Sequence, residues 1–372
     1  MGDANNKPDI KKGSPMTSHE RISNIFKRQP VDRIGLYEHF WSDTKREYIS
    51  KGHMREEDSF EDLLGFDIIN FWPFNMMADL DFKDKIVEET DDTVVILDGN
   101  GATLRRHKLH DTTPEHVDFT VKTREDWEKY KPLLLHADPR RIDFDGYRQA
   151  REKAKRNQRF FTCGGVNVFE CMHPIAGHEN MLMGMALDPD WILDMCETYS
   201  NLIISLQKML FEREGQPDGI WNYEDMGFKE RPFMSPAMYD ELIFPSHKKT
   251  IDFAHSNGIS VIMHSCGFIE PLLPGMIAAG IDCLHVIEVK AGMDLLRIHK
   301  NYGDKISLMG GIDVRCLYSN NRRIIDAELE AKIPIVKNGY GYVLHSDHSI
   351  PNTVHFDTLN YFIEKGLELG TY

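Results

Sequence analysis

Short apolar runs alternate along the chain with longer stretches that carry apolar residues at helical spacing. The runs are continuous rather than strictly alternating, which is typical of parallel strands buried on both faces. Eight of them occur, at residues 33–40, 66–72, 159–170, 219–225, 258–266, 281–288, 305–313 and 342–348. Eight strands that alternate with helices predict an α/β fold of the (β/α)8, or TIM barrel, type.

Two of the intervening segments carry clear helix-end signals. Ser235 and Pro236 suit the N-cap and the first helical position of one helix, and Gly258 suits its end. A second helix is predicted to begin at residues 188–189 and to run to about Arg213.

An insertion lies between the second and third predicted strands. Residues 85–108 form two alternating stretches joined by the sequence DGNG, which predicts an antiparallel β-hairpin after strand 2. Residues 120–134 predict a short helix. Because no internal repeat and no linker-like segment stands out, we predict a disordered leader at 1–16 and a single barrel domain at 17–372.

Composition and charge exclude some kinds of partner. The chain has 372 residues and a formal net charge of -15, which argues against nucleic acid or an anionic membrane as the main partner. A protein partner with a basic face and a homodimer both stay open. No apolar run approaches the roughly 20 residues of a membrane span. The polar N-terminus and six scattered cysteines indicate a cytoplasmic protein.

Polar residues follow each apolar run, where a barrel of this type places its chemistry. Glu224 and Asp225 follow the fourth run and are predicted as catalytic groups. Asp313 follows the seventh run. The predicted substrate-binding residues at other strand ends are Glu38, His39, Asn70, Asn167, Glu170 and His345.

His264 and Cys266 form the sharpest pair among these residues. At positions i and i+2 of an extended segment their side chains point to the same side and can face one ion. Neutral imidazole and thiolate suit zinc, and a catalytic zinc takes three protein ligands. Glu288, at the end of the next strand, could be the third ligand. The alternative is a buried thiol beside a histidine that caps a helix.

The stretch from Trp221 to Pro351, which includes "VIMHSCGFIEP" and "KISLMGGID", resembles the uroporphyrinogen decarboxylase superfamily, and a weaker likeness begins near Gln29. The resemblance implies a distorted (β/α)8 barrel. True decarboxylases of that superfamily carry an arginine-rich loop after the first strand, which binds the acidic side chains of the porphyrinogen. Here that loop reads "EHFWSD", and Glu38 would repel a polycarboxylate.

The other branch of the superfamily contains zinc-dependent methyltransferases that work with corrinoid proteins or thiol acceptors. Its H-x-C motif matches His264-Ser265-Cys266, and a following "IE" pair matches Ile287-Glu288. A second cysteine usually ends the last strand, whereas this chain reads "HSDHSIP". Asp347 and His348 are the candidates for its place in the metal site.

The resemblance therefore implies a zinc enzyme of a particular kind. It would move a methyl group between a small methylated substrate, such as a methoxylated compound, and cobalamin on a separate corrinoid protein. Zinc would act as a Lewis acid, and Glu224 or Asp225 would protonate the leaving group or fix the substrate. The alternatives are a metal-free decarboxylase or lyase acting on a non-porphyrin substrate and a non-catalytic binding protein.

Overall fold

The computed structural model describes residues 16–109 and 113–372, so nearly all of the predicted leader lies outside the described residues. The strands are numbered along the chain. They are β1 (Gly35–Leu36), β2 (Ile68–Phe71), β3 (Lys85–Glu89), β4 (Thr93–Leu97), β5 (Ala102–His107), β6 (Glu115–Phe119), β7 (Phe160–Val166), β8 (Gly219–Tyr223), β9 (Ser260–Ser265), β10 (Cys283–Val286), β11 (Ser307–Gly310) and β12 (Tyr342–Leu344).

Eight parallel strands curl into a nearly closed barrel, and all eight predicted strands are confirmed. Their order is β1-β12-β11-β10-β9-β8-β7-β2. The seam between β1 and β2 is bridged where Asp67 donates its N–H to the Leu36 carbonyl at 2.9 Å. The buried Asp67 carboxylate also accepts hydrogen bonds from Arg21 of α1 and from Arg33, just before β1. The carboxyl ends of the eight strands form what we call the barrel mouth.

Helices pack around the barrel and follow most of its strands. The π-helical turn Tyr239–Ile243 joins α8 to α9, and 3-10 turns occur at Lys131–Leu134, Pro139–Arg141, Glu270–Leu272 and Val289–Ala291. The α-helices are α1 (Ser18–Phe26), α2 (Ser42–Ser50), α3 (Phe60–Leu64), α4 (Arg124–Tyr130), α5 (Phe144–Arg156), α6 (Val168–Leu187), α7 (Pro189–Glu214), α8 (Pro236–Met238), α9 (Phe244–Ser256), α10 (Leu273–Ala279), α11 (Leu295–Tyr302), α12 (Arg315–Tyr318), α13 (Arg322–Val336) and α14 (Phe356–Gly370).

The predicted helix ends agree with the structure. Ser235 accepts a hydrogen bond from the Met238 N–H at 3.2 Å, as an N-cap does, and the helical segment ends just before Gly258. The helix predicted from residue 188 is α7, which spans Pro189–Glu214. None of the helices in the described ranges combines the length and the apolar composition that crossing a membrane requires.

The insertion after β2 is larger than the predicted hairpin. The hairpin is present as β4 and β5, but it forms the centre of a four-stranded antiparallel sheet in the order β3-β4-β5-β6. All residues of β3 are exposed, as are all but one of β6. Strands with almost no buried face lack the alternation by which sequence reveals a strand.

Candidate functional site

Strand register brings three polar rings side by side at the barrel mouth. Tyr223 of β8 pairs with His264 of β9, and His264 pairs with His285 of β10. Partners in register on neighbouring parallel strands point to the same face. The ring centroids accordingly lie 4.5 Å apart for Tyr223 and His264 and 4.8 Å apart for His264 and His285.

Asp225, His264 and Cys266 form a group that we call the Asp225 cluster. His264 Nε2 lies 3.3 Å from Cys266 Sγ and 3.3 Å from Asp225 Oδ1. The ligand atoms of the three residues all lie within 4.8 Å of one another. Ligands of a tetrahedral zinc ion lie about 2.0 to 2.3 Å from the metal and therefore about 3.3 to 3.6 Å from each other. The nitrogen, sulfur and oxygen donors of the cluster fit zinc in type and spacing.

Two glycines allow the loops after β8 and β9 to approach closely enough for this cluster. Gly267 has a φ of 79°, and a Cβ added there would lie 2.2 Å from the carbonyl carbon of Gly227. A side chain at residue 267 would therefore force the loops apart. The contact between them places Asp225 Oδ1 2.8 Å from the Cys266 amide nitrogen, whose hydrogen bond it accepts.

The charges of the cluster follow from its burial. Burial raises the pKa of the Cys266 thiol well above its ordinary value, and the nearby Asp225 carboxylate raises it further. Burial would also raise the pKa of Asp225, but His264 and the hydrogen bond from the Cys266 amide lower it below its ordinary value. Without a cation, the cluster thus holds one carboxylate and one neutral thiol. A bound metal ion would deprotonate the thiol.

Two of the other predicted metal ligands hold backbone amides. Glu288 Oε2 accepts the Gly267 N–H at 2.7 Å. Asp347 accepts the N–H groups of Val289 and Val314, both at 2.8 Å, and so ties together the loops that follow β10, β11 and β12. In this structure both carboxylates fix loops around the mouth.

His348 and Asp313 also lie in the loops of the mouth. His348 is half-buried, with its ring 5.8 Å from that of Trp41. Asp313 forms an ion pair with Arg315 at 2.6 Å. Neither residue belongs to the Asp225 cluster.

A second group, the histidine triad, consists of His39, His285 and His345. His345 Nε2 lies 3.0 Å from His39 Nδ1 and 3.3 Å from His285 Nε2. Burial lowers the pKa of His345 to about 3 and that of His285 well below its ordinary value, so both rings are neutral at physiological pH. His39 and His345 were predicted as strand-end residues, whereas His285 was not.

Glu38 lies against the triad and is buried rather than open to a substrate. Its oxygens accept the N–H groups of His39 at 2.9 Å and Ser346 at 2.8 Å, and Oε1 lies 3.3 Å from His345 Nε2. Burial raises the pKa of Glu38 to about 8. Glu38 therefore presents no exposed charge of the kind that the sequence analysis expected to repel a polycarboxylate.

Glu224, one of the two predicted catalytic groups, is fully buried among helices. Its oxygens accept the N–H groups of Phe169 at 3.0 Å and Glu170 at 2.7 Å, and Oε1 lies 2.5 Å from His247 Nε2. These contacts join β8 to α6 and α9. The next residue, Asp225, is the one that reaches the mouth.

Glu170 stands beside the Asp225 cluster. One of its oxygens accepts the Asp225 N–H at 3.2 Å, and the other lies 2.8 Å from His173 Nε2. Burial raises the pKa of Glu170, although the hydrogen bond with His173 opposes this effect. Glu170 therefore lies beside the cluster without belonging to it.

The two predicted asparagines differ in their surroundings. Asn167 is completely buried at the start of α6, where its Nδ2 lies 3.2 Å from the Thr250 hydroxyl. Asn70 is half-buried at the end of β2 and accepts a hydrogen bond from the Thr162 hydroxyl at 3.0 Å. Asn70 is thus the better placed of the two to meet a substrate.

The opposite end of the barrel carries a cleft of about 420 Å³. It is lined by His19, Arg151, Arg159 and Asp218, which precede the strands of the barrel or lie on α1 and α5. Active sites of (β/α)8 enzymes lie at the carboxyl ends of the strands. We therefore assign the candidate site to the mouth, where the titratable groups converge.

Comparisons with known proteins agree with this architecture. A model of the Uroporphyrinogen decarboxylase (URO-D) family matches residues 91–367. None of the curated proteins matches the chain significantly in sequence. A solved methyltransferase from Methanosarcina mazei is similar with a TM-score of 0.64 and 14% identity, over 95% of this chain and 99% of that one. That likeness shows a shared fold.

A second solved structure is more distant. It is a 2,3-dimethylmalate lyase of the PEP mutase/isocitrate lyase superfamily, with a TM-score of 0.32 and 8% identity over 89% of this chain and 78% of that one. A similarity this low carries no argument about the site.

Proposed function

The chain belongs to the uroporphyrinogen decarboxylase family, and we propose that it is a zinc-dependent methyltransferase. Its reaction would move a methyl group between a small methylated substrate and cobalamin on a separate corrinoid protein. The observation that carries this proposal is the Asp225 cluster, whose three different donor atoms converge at the barrel mouth. The fold shared with a methyltransferase from Methanosarcina mazei supports the same class of reaction.

His264 Nε2, Cys266 Sγ and Asp225 Oδ1 are the atoms that would hold the zinc ion. A zinc ion bound there would act as a Lewis acid on the heteroatom that carries the methyl group. The hydrogen bond from the Cys266 amide to Asp225 fixes the position of the carboxylate before any ligand arrives. Such preorganisation is what supporting hydrogen bonds contribute to a metal site.

Glu170 is the residue that we assign to proton transfer. Its raised pKa lets it keep a proton at a higher pH than an ordinary glutamic acid, and its contact with His173 Nε2 fixes the carboxyl group beside the cluster. A proton donor of this kind would assist the departure of an alkoxide or a similar poor leaving group. Asp225 joins Glu170 to the metal site, because its N–H donates to a Glu170 oxygen while its carboxylate is one of the three metal-binding groups.

The rim of the mouth suits a large flat partner group. Trp72, just after β2, is 45% exposed, and Phe228, in the loop after β8, is 53% exposed. Exposed aromatic side chains beside a site favour contact with an apolar or aromatic surface. The chain's net charge of -15 favours a partner protein with a basic rim.

The test combines spectroscopy with metal analysis. The protein is mixed with a reduced corrinoid protein and a panel of methoxylated, N-methylated and S-methylated compounds. For at least one class the spectrum of reduced cobalamin should change to that of the methylated form. Cys266→Ser should lose both zinc and turnover, whereas the matched control Cys316→Ser, on α12, should keep both.

Two results would contradict the proposal. One is no spectral change across the panel with a corrinoid protein that a known methyltransferase can methylate. The other is a Cys266→Ser variant that retains both its zinc and its activity.

A further inference from the structure

We propose that the histidine triad binds a second metal ion, a divalent first-row transition metal, deeper in the barrel than the Asp225 cluster. This site goes beyond the proposed function and uses none of the three donors of that cluster. Its ligands would be His39 Nδ1, His285 Nε2 and His345 Nε2, which come from the ends of β1, β10 and β12.

The spacing of the three nitrogen atoms supports this proposal. His345 Nε2 lies 3.0 Å from His39 Nδ1 and 3.3 Å from His285 Nε2, and all three atoms lie within 4.8 Å of one another. Three nitrogens that each lie about 2.0 to 2.1 Å from a tetrahedral ion are separated by about 3.3 Å. The rings thus already stand at the separations that a shared ion requires.

Hydrogen bonding alone leaves the centre of the triad poorly satisfied. His345 Nδ1 donates its hydrogen to the Ser346 carbonyl, so the neutral ring presents a lone pair at Nε2. That one lone pair faces His39 Nδ1, His285 Nε2 and, at 3.3 Å, Glu38 Oε1. Three groups cannot all donate well to a single lone pair, whereas a cation at their centre satisfies every lone pair at once.

The surrounding contacts orient the rings for such an ion. Tyr223 Oη lies 2.9 Å from His39 Nε2, and His264 Nδ1 lies 2.7 Å from His285 Nδ1. The second nitrogen of each of these rings therefore has a hydrogen-bonding partner, and the same holds for His345 through Ser346. When zinc is bound to His264 Nε2, the one hydrogen between the two Nδ1 atoms would lie on His264, and His285 would bind the second ion as an imidazolate. Metal-ligating histidines characteristically carry a partner of this kind on the other ring nitrogen.

Ligand chemistry decides which ions fit. Neutral imidazole nitrogens suit zinc, iron, nickel, copper and cobalt, whereas magnesium and calcium prefer oxygen ligands. His285 and His345 are buried, and the half-buried His39 leaves a route from the mouth.

Titration of the metal-stripped full-length protein with Co²⁺ tests the site. Mass spectrometry counts the bound ions, and the absorption band from thiolate to Co²⁺ reports the Asp225 cluster alone. Wild type should bind two equivalents and show the band. His39→Gln should bind one equivalent and keep the band, whereas Cys266→Ser should bind one equivalent without it.

His53→Gln is the matched control, because His53 is an exposed histidine outside the barrel. It should bind two equivalents like wild type, and circular dichroism should show that every variant is folded. If His39→Gln does not fold, His345→Gln replaces it and should bind one equivalent with the thiolate band. The Cys266→Ser variant, which should bind one equivalent without the band, provides the second measurement.

The inference is overturned if wild type saturates at one equivalent with the thiolate band, or if the folded His39→Gln variant still binds two. A different result would support the triad site and refute the zinc site of the proposed function. In that result wild type binds metal without the thiolate band, and the His39→Gln variant no longer binds the metal. The two failures are therefore distinguishable.

Discussion

His264 Nδ1 and His285 Nδ1 lie 2.7 Å apart, on neighbouring strands and in register. At that distance one ring nitrogen donates its hydrogen and the other accepts it. His264 belongs to the Asp225 cluster and His285 to the histidine triad. One shared proton therefore connects the two groups of the barrel mouth.

This contact predicts opposite tautomers for the two rings. In metal-free protein at mildly alkaline pH, nitrogen NMR of labelled histidine should find one of the two Nδ1 atoms protonated and the other not. In the His285→Phe variant the hydrogen-bonded Nδ1 signal of His264 should disappear. Two protonated Nδ1 atoms in the wild-type protein would place two donors against each other and contradict the contact.

A second prediction separates Asp225 from Glu288 as the third zinc ligand. Asp225→Asn should lower zinc affinity by at least about ten- to a hundred-fold, since its carboxylate lies 3.3 Å from His264 Nε2. Glu288→Gln should leave zinc affinity nearly unchanged, because its carboxylate is engaged by the Gly267 N–H and lies 3.4 Å from Lys290 Nζ. Zinc competition with a chelating dye measures both variants. The reverse order of affinities would restore Glu288 as the ligand.

The barrel could be predicted from sequence because its strands are continuous apolar runs of the right number. The pair His264 and Cys266 could also be predicted, since residues two apart on a strand share a face. The sequence does not show which residue of β10 stands beside His264, because that depends on the register between strands. The sequence prediction lacks His285 for this reason, and its signal in the sequence is a histidine in the middle of the run 281–288.

Strand-end carboxylates have different roles that the sequence does not distinguish. Asp225, Glu224 and Asp347 all follow apolar runs and look equivalent in sequence. In the structure all three carboxylates accept backbone N–H groups, but of the three it is Asp225 that also faces His264 at the mouth. The difference depends on which loop packs against each carboxylate, and that is a property of the tertiary structure.

A third prediction concerns Glu224 and stability. Both members of the hydrogen-bonded Glu224–His247 pair are fully buried, and Glu224 also satisfies two backbone N–H groups. Glu224→Ala should therefore lower the free energy of unfolding by about 3 to 5 kcal/mol, measured by urea denaturation. Glu224→Gln should recover part of this loss. A variant that keeps its stability but loses activity would instead support the catalytic role expected from the sequence.

A histidine of α6, His178, gives a prediction about acid stability. His178 stacks on His173 and Phe233 at centroid distances of 4.4 and 5.4 Å, and burial lowers its pKa to about 4. Since the unfolded value is near 6.5, the neutral ring stabilises the fold fully above that pH, and this contribution is lost as the pH falls toward 4. After allowance for the partly exposed ring, it amounts to about 2 kcal/mol.

His178→Phe keeps an aromatic ring and removes the titration. Its free energy of unfolding should therefore fall less steeply than that of wild type between pH 6.5 and about 4. His53→Phe, at an exposed position, should follow the wild-type curve. Parallel curves for wild type and His178→Phe would show that the stacked ring does not carry this effect.

The last prediction is that uroporphyrinogen is not a substrate, despite the name of the family. The loop after β1 reads "EHFWSD" and carries no arginine that could bind the carboxylates of a porphyrinogen. The mouth beyond it presents Asp225 and Glu170, and Asp225 is held in its charged form by its neighbours. A polycarboxylate would therefore find no arginine in this loop to pair with its carboxylates. Anaerobic incubation with uroporphyrinogen should therefore release no carbon dioxide, while a true decarboxylase assayed in parallel should do so. Release at an enzyme-like rate would overturn the assignment of this chain to methyl transfer.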